Sequence, residues 1–293
     1  MRVAITGSSG LIGSALAASL QHAGHAVIRI VRGNATGPDT VSWDPANRRL
    51  DPRSLHGIDA IVNLAGAGLG DHRWNARVKR EIRDSRVLGT EAVATAAAAA
   101  GVPVLVNGSA IGYYGDTGDR EVTEAEPQGH GFLADVVAEW EGATATAAEA
   151  GVRVAFARTG LVVTPQGGAF ARMLPLFRLG LGGPLGSGAQ YWSLISLRDE
   201  VRALTHLITT PIAGPVNCTG PAPVRNSEFT RALGQALQRP AILPVPRAAL
   251  RLAIGEFSGD ILASQRVIPA RLLASGFTFE DGGITALAAA LSG

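Results

Sequence analysis

Near the start of the chain three glycines stand three residues apart, in Thr6-Gly7-Ser8-Ser9-Gly10-Leu11-Ile12-Gly13, directly after the apolar run Val3-Ala4-Ile5. Between a strand and a helix, such a turn holds phosphate. Gly7 permits the tight bend, Gly10 lets the backbone approach a pyrophosphate, and Gly13 lets the helix lie close on the strand. The unpaired N–H groups and partial positive charge of the helix start then meet the anion. Gly7, Ser9, Gly10, Leu11, Ile12 and Gly13 are therefore the candidate dinucleotide contacts of this turn. Nineteen residues beyond Gly13 stands Arg32, near the place, about 20 residues on, where an acid would hold the ribose 2′-hydroxyl of NAD. An arginine there pairs with a 2′-phosphate instead, so the pattern favours NADP over NAD.

These residues need a scaffold that brings them to one edge. Leu11, Ile12, Ala15, Leu16 and Leu20 form one face of a first helix, and Ala26-Val27-Ile28-Arg29-Ile30-Val31 reads as a buried strand ending at Arg32. Further strands are expected at 41–43, 59–66, 104–107 and 152–157, with helices at 75–100 and 132–150. The pairs Ala23-Gly24, Ala100-Gly101 and Ala150-Gly151 each stop a helix shortly before a strand begins, the mark of βαβ units. The expected fold class is α/β, a Rossmann doubly wound parallel sheet with helices on both faces and its ligand site beyond the carboxyl ends of the strands. From Thr164 the texture changes. A glycine-rich stretch at 178–188 reads as a lid or hairpin, a helix is expected at 199–209, a strand at 215–218, and Asn226 reads as the N-cap of a helix through Leu237. The expected division is an NADP-binding Rossmann domain over 1–164, with a later return near 193–220, and a smaller C-terminal α+β substrate or lid domain over 165–293 that includes 244–293.

Composition narrows the function classes. With 293 residues and 46% hydrophobic content, the chain can bury one large core or a core plus a satellite. Nowhere does it approach the roughly 18 uninterrupted apolar residues of a membrane span. Met1-Arg2 leaves no room for a signal peptide ahead of the first strand, so the expected location is cytoplasmic. The net charge is only +2 and no basic run is long, which argues against nucleic acid as a partner. The six histidines are scattered, so no metal site is expected, and the lone Cys218 cannot form an intrachain disulfide. A small-molecule substrate is the expected partner, and the oligomeric state is open.

Several further stretches form a recognisable set: Trp43-Asp44, Asn63-Leu64-Ala65-Gly66, Arg73-Trp74, Ser85-Arg86, Ser109-Ala110-Ile111-Gly112-Tyr113-Tyr114-Gly115, Phe132-Leu133-Ala134, Trp140-Glu141, the run from Arg178 to Pro184, and Gln265-Arg266-Val267-Ile268-Pro269. With the opening turn they cover nearly the whole length. The chain resembles the atypical short-chain dehydrogenase/reductases, in the subgroup of epimerase-family, NAD-dependent epimerase/dehydratase-like proteins that end in a short domain of unknown function. The resemblance implies an NADP-binding fold with Arg32 at the 2′-phosphate and with Val31, Leu64, Ala65, Glu81, Arg86 and Val162 near the cofactor, while Gly66 belongs to the small-residue turn that ends the 59–66 strand and would lie beside the adenine-ribose and pyrophosphate.

The departures bear on mechanism. Short-chain dehydrogenases use a Tyr-x-x-x-Lys pair for proton transfer. Here Lys79 is the only lysine and lies upstream of all three tyrosines, Tyr113, Tyr114 and Tyr191. Anchored on Trp140-Glu141, the positions of the pair hold Leu133 and Val137, Arg86 replaces the usual asparagine, and Trp192 stands where sugar-nucleotide enzymes carry an arginine. The resulting expectation is an NADP-dependent oxidoreductase acting on a small, largely apolar carbonyl or alcohol. Ser109 orients the substrate oxygen, Tyr113 or Tyr114 supplies the proton, and Arg86 provides fixed positive charge or is tied in an ion pair with Glu81 or Asp84. Glu141 reads as a structural helix residue. A non-catalytic NADP(H)-binding sensor is the alternative, and a nucleotide-sugar epimerase the second alternative.

Overall fold

The computed structural model describes residues 1–292. In chain order its layers are built from β1 (Arg2–Thr6), α1 (Leu11–His22), β2 (Ala26–Arg32), β3 (Thr40–Asp44), β4 (Arg49–Leu50), β5 (Ala60–Asn63), α2 (Ala76–Ala100), β6 (Val104–Ala110), α3 (Phe132–Gly142), α4 (Ala145–Glu149), β7 (Arg153–Thr159), α5 (Gly168–Arg178), α6 (Leu197–Thr209) and β8 (Gly214–Cys218). The sheet runs β8-β7-β6-β5-β1-β2-β3-β4. Every neighbouring pair is parallel except β3 with β4. From β1 the chain builds β2 and β3 to one side and β5 onward to the other, which leaves a crevice at the β1/β5 switch point, where open α/β sheets bind ligands. This is the Rossmann doubly wound class.

The central strands are apolar throughout because both sheet faces are covered. On one face α1 and α6 pack Leu16, Leu20, Leu204 and Leu207 against Val3, Ile5 and Val62. On the other, α2 and α4 pack Val93, Ala94, Ala97 and Ala147 against Ala4, Ile61 and Leu105. Small alanines let the long helix α2 lie close to the sheet. Gly101 ends it with a φ of 66°, a left-handed stop that a side chain would strain.

Four local details differ from the sequence reading. The 132–150 helix is two helices, interrupted after Gly142 where the Thr144 hydroxyl donates back to the Glu141 carbonyl at 2.8 Å. No strand was expected at β4, which pairs antiparallel with β3 at the sheet edge. Asn226 is not an N-cap: Arg225 holds that place, its amide donating to Glu228 at 2.8 Å, while buried Asn226 accepts from the Leu185 amide at 2.8 Å. Helix α5 was not expected either, and Pro175 sits inside it.

Beyond β7 a second core forms around Phe170, Trp192 and Phe229, with ring centroids 5.4 to 6.2 Å apart, joined by Leu174, Leu233 and Leu287. The Gln265 to Pro269 stretch fastens this part to the sheet. Arg266–Val267 pairs in parallel with Glu121–Val122, and the Gln265 side-chain amide donates to the carbonyls of Ile111 and Gly115 at 3.2 Å. No helix among the described residues is long and apolar enough to cross a membrane.

Candidate functional site

The glycine turn admits no side chain at its two ends. A Cβ on Gly7, whose φ is +65°, would lie 2.7 Å from the Leu64 carbonyl oxygen, and one on Gly13 would lie 2.2 Å from the Gly7 carbonyl oxygen. The Gly10 amide donates to that same oxygen at 2.9 Å and closes the turn. Gly10 is also the N-cap of α1 and brings no side chain over the first-turn amides. The turn borders a cleft of about 1370 Å³ lined also by Val31, Arg32, Leu64, Ala65, Gly66 and Glu81. Gly7, Ser9 and Gly10 line it directly. Leu11 and Ile12 belong to the first turn of α1, and Val162 sits half-buried on the short strand Leu161–Val163.

Arg32 is exposed at the far end of β2, and Arg49 of β4 lines the same end of the cleft, a second cation that the sequence reading did not single out. At the other end, Arg86 of α2 rises against Gly66, where a Cβ would lie 3.2 Å from the guanidinium carbon. The expected ion pair with Glu81 or Asp84 does not form. Arg86 donates to the Ala67 and Ile82 carbonyls at 3.1 and 3.0 Å and lies 5.2 Å from the centre of the Trp140 ring. Glu81 pairs with Arg77 and Asp84 with Arg83. With no carboxylate to offset it, burial lowers the Arg86 pKa to about 10. It is a fixed, unpaired positive charge beside the cleft.

Beneath the cleft runs a polar lattice that the sequence reading missed. The Thr6 hydroxyl donates to Asn63 Oδ1 at 2.6 Å and accepts from the Leu64 and Ala65 amides at 3.0 and 3.1 Å. Asn63 donates to Thr90 at 2.8 Å and Asn107 at 2.7 Å, and the Trp140 indole donates to Thr90 at 2.9 Å. Register places Thr6, Asn63 and Asn107 side by side on β1, β5 and β6. The signal was a polar residue at each apolar run's end. The lattice fixes the strand ends from which the cleft loops depart.

The groups expected to carry chemistry are placed differently. Ser109 is buried and its hydroxyl donates to Glu141 Oε1 at 2.6 Å. Glu141 is not a plain helix residue: it holds buried Arg158 through two bonds of 2.8 Å. Arg158 in turn donates to the Tyr114 hydroxyl at 2.9 Å, which donates to Asn217 Oδ1 at 2.7 Å. Burial pushes the Tyr114 phenol up, against the opposing pull of Arg158. The Ser109 and Tyr114 hydroxyls, expected to orient the substrate oxygen and to supply the proton, both make hydrogen bonds inside the fold. Tyr113 is half-buried with the Arg158 guanidinium 3.5 Å from its ring centre. Leu133 and Val137 of α3 fill the space beside Gly112, on the turn that carries the tyrosines.

Next to the cleft is an apolar chamber of about 740 Å³, walled by α5, Leu161, Trp192 and the segment from Leu250 to Ile261. Gly68, Asp71 and His72 border both spaces. Trp192, at the position of the missing arginine, is part of its wall.

A doubly wound sheet with a glycine turn at its switch point defines a Rossmann-type α/β protein. Residues 3–218 match the NAD dependent epimerase/dehydratase family, and residues 245–291 match a domain of unknown function, DUF1731. The chain belongs to the NAD dependent epimerase/dehydratase family. An epimerase family protein of Mycobacterium bovis is 51% identical over 284 residues, which cover 96% of this chain and 94% of the relative. The epimerase family protein SDR39U1 of Bos taurus is 39% identical, covering 95% of each chain. Among solved structures, human epimerase family protein SDR39U1 with NADPH superposes with a TM-score of 0.92 at 33% identity, covering 100% of this chain and 99% of that one.

Proposed function

We propose that this protein binds NADP(H) and catalyses oxidation or reduction of an apolar alcohol or carbonyl substrate. The observation that carries the proposal is the apolar chamber of about 740 Å³ that shares Gly68, Asp71 and His72 with the cofactor cleft. Its size lies within the range of pockets that enclose drug-sized organic molecules, roughly 300–1,000 Å³. Arg32 and Arg49 at the far end of the cleft support a 2′-phosphate, and the human relative was solved with NADPH.

The bound nicotinamide would supply or take up the hydride. The chain's own residues bind, position and move the proton. The glycine turn would cradle the pyrophosphate, Arg32 would take the 2′-phosphate, and Arg86 sets a positive charge beside Gly66. With the hydroxyls of Ser109 and Tyr114 committed inside the fold, Tyr113 is the group assigned to deliver the proton. The second reading is a non-catalytic NADP(H) sensor, favoured by the apolar Leu133 and Val137 beside the tyrosine turn.

The test is NADPH consumption by the purified protein with a panel of apolar aldehydes and ketones, and with nucleotide sugars for comparison. Turnover with the apolar carbonyls alone is the expected result. NADPH that raises the melting temperature yet is consumed with no member of the panel would replace the enzyme by the sensor.

A further inference from the structure

The chamber wall is aromatic and aliphatic, formed by Phe170, Met173, Phe177, Trp192, Phe257 and Ile261. Into this wall opens one carboxyl group that nothing in the fold uses. It belongs to Asp260, on the short helix Ser258–Leu262. Asp260 is half-buried, and its hydrogen bonding comes from its own backbone amide rather than from another side chain of the described residues. Two of the neighbouring cations are already matched. Lys79 pairs with Glu256, and Arg172 pairs with Asp71 at 2.9 Å. His72 and Arg73 also border the chamber, both exposed. Burial pushes the Asp260 acid up to about 6, with Glu256 adding to the rise and Lys79 opposing it.

An unpaired acid in an apolar wall works against the fold unless something completes it. Pockets that bind organic ligands have this composition, an apolar lining with a few polar groups that fix orientation. We propose that the chamber takes a ligand with an apolar body and a hydrogen-bond-donating head, a hydroxyl or an ammonium, and that Asp260 recognises the head. The inference rests on the reading of the chamber as the substrate site, but it concerns binding and requires no turnover. An ionised carboxylate only accepts hydrogen bonds, so it receives a hydroxyl or ammonium and repels a carboxylate.

The experiment loads the full-length protein with the neutral fluorescent probe N-phenyl-1-naphthylamine and displaces it with 1-octanol, octylamine or octanoate, with and without NADPH. For the unmodified protein, octanol or octylamine should displace the probe at a concentration at least about tenfold below that of octanoate. The stronger of the two identifies the head as hydroxyl or ammonium. Asp260→Leu should erase this preference while probe affinity and NADPH affinity stay unchanged and the melting temperature holds or rises, and Asp260→Asn should weaken it for octylamine. Octanoate binding as well as the other two, or a preference that survives in Asp260→Leu, would overturn the role of Asp260 alone. A probe that does not enter the unmodified protein would remove the chamber as a site, and the substrate reading with it.

Discussion

Arg158 is 3% exposed, and the two carboxylate bonds from Glu141 make its burial tolerable. Removing one partner of such a pair leaves an uncompensated charge. Ser109 and Tyr114 are hydrogen-bonded to this pair. That was hidden in the sequence because strand alternation puts Ser109 on one face of β6 together with Asn107, and nothing in the local pattern says which face meets α3. The two tyrosines, indistinguishable in sequence, separate by their surroundings. Tyr114→Phe removes two buried hydrogen bonds and should cost roughly 1–3 kcal/mol of stability, with any loss of turnover explained by the loss of folded protein. Tyr113→Phe should leave stability nearly unchanged and lower turnover by about 10² to 10⁴, with NADPH affinity retained. Thermal melts alongside steady-state kinetics check both. A loss of turnover confined to folded Tyr114→Phe would reverse the assignment.

At the scale of elements, the glycine turn and the strand-helix alternation were legible, because close approach and helix stops each demand glycine and the demand shows in spacing. The break after Gly142, the helix α5 and the cap at Arg225 were not, since each is decided by tertiary partners. The turn makes a sharp prediction. Gly13→Ala places a methyl group 2.2 Å from the Gly7 carbonyl oxygen, a backbone atom that cannot step aside without opening the turn. It should cost about 1–3 kcal/mol of stability and weaken NADPH binding at least about tenfold. Gly142→Ala, where nothing lies within 4 Å of the added carbon, should leave NADPH affinity unchanged. Calorimetric titration of the two variants separates a strained turn from a generally tolerant chain, and equal NADPH affinities would contradict the strained turn.

For the molecule as a whole, the parallel strands of the doubly wound sheet were readable, but the antiparallel edge strand β4 was not, and neither was the chamber, because its wall gathers residues from Gly68 to Gln265 that no local pattern connects. Nor was the state of Glu200, fully buried on α6 beneath the sheet. One of its carboxyl oxygens accepts from Thr159 at 2.7 Å, the other has no partner, and burial raises its pKa to about 8 from 4.5. Between about pH 4.5 and 8 the folded chain therefore keeps a proton that the unfolded chain has released, so this group's contribution to stability falls as pH rises through that window. Glu200→Gln retains an acceptor for Thr159 and cannot ionise. Its melting temperature should fall less than that of the unmodified protein as pH rises across the window, and identical slopes would show that Glu200 ionises freely.

Whether the cleft is an NADP site read by Arg32 is tested by calorimetric titration of NADPH and NADH into the unmodified protein and Arg32→Asp. The unmodified protein should bind NADPH at least about tenfold more tightly than NADH, and the substitution should reverse the order. Equal affinity of the unmodified protein for the two cofactors would contradict it.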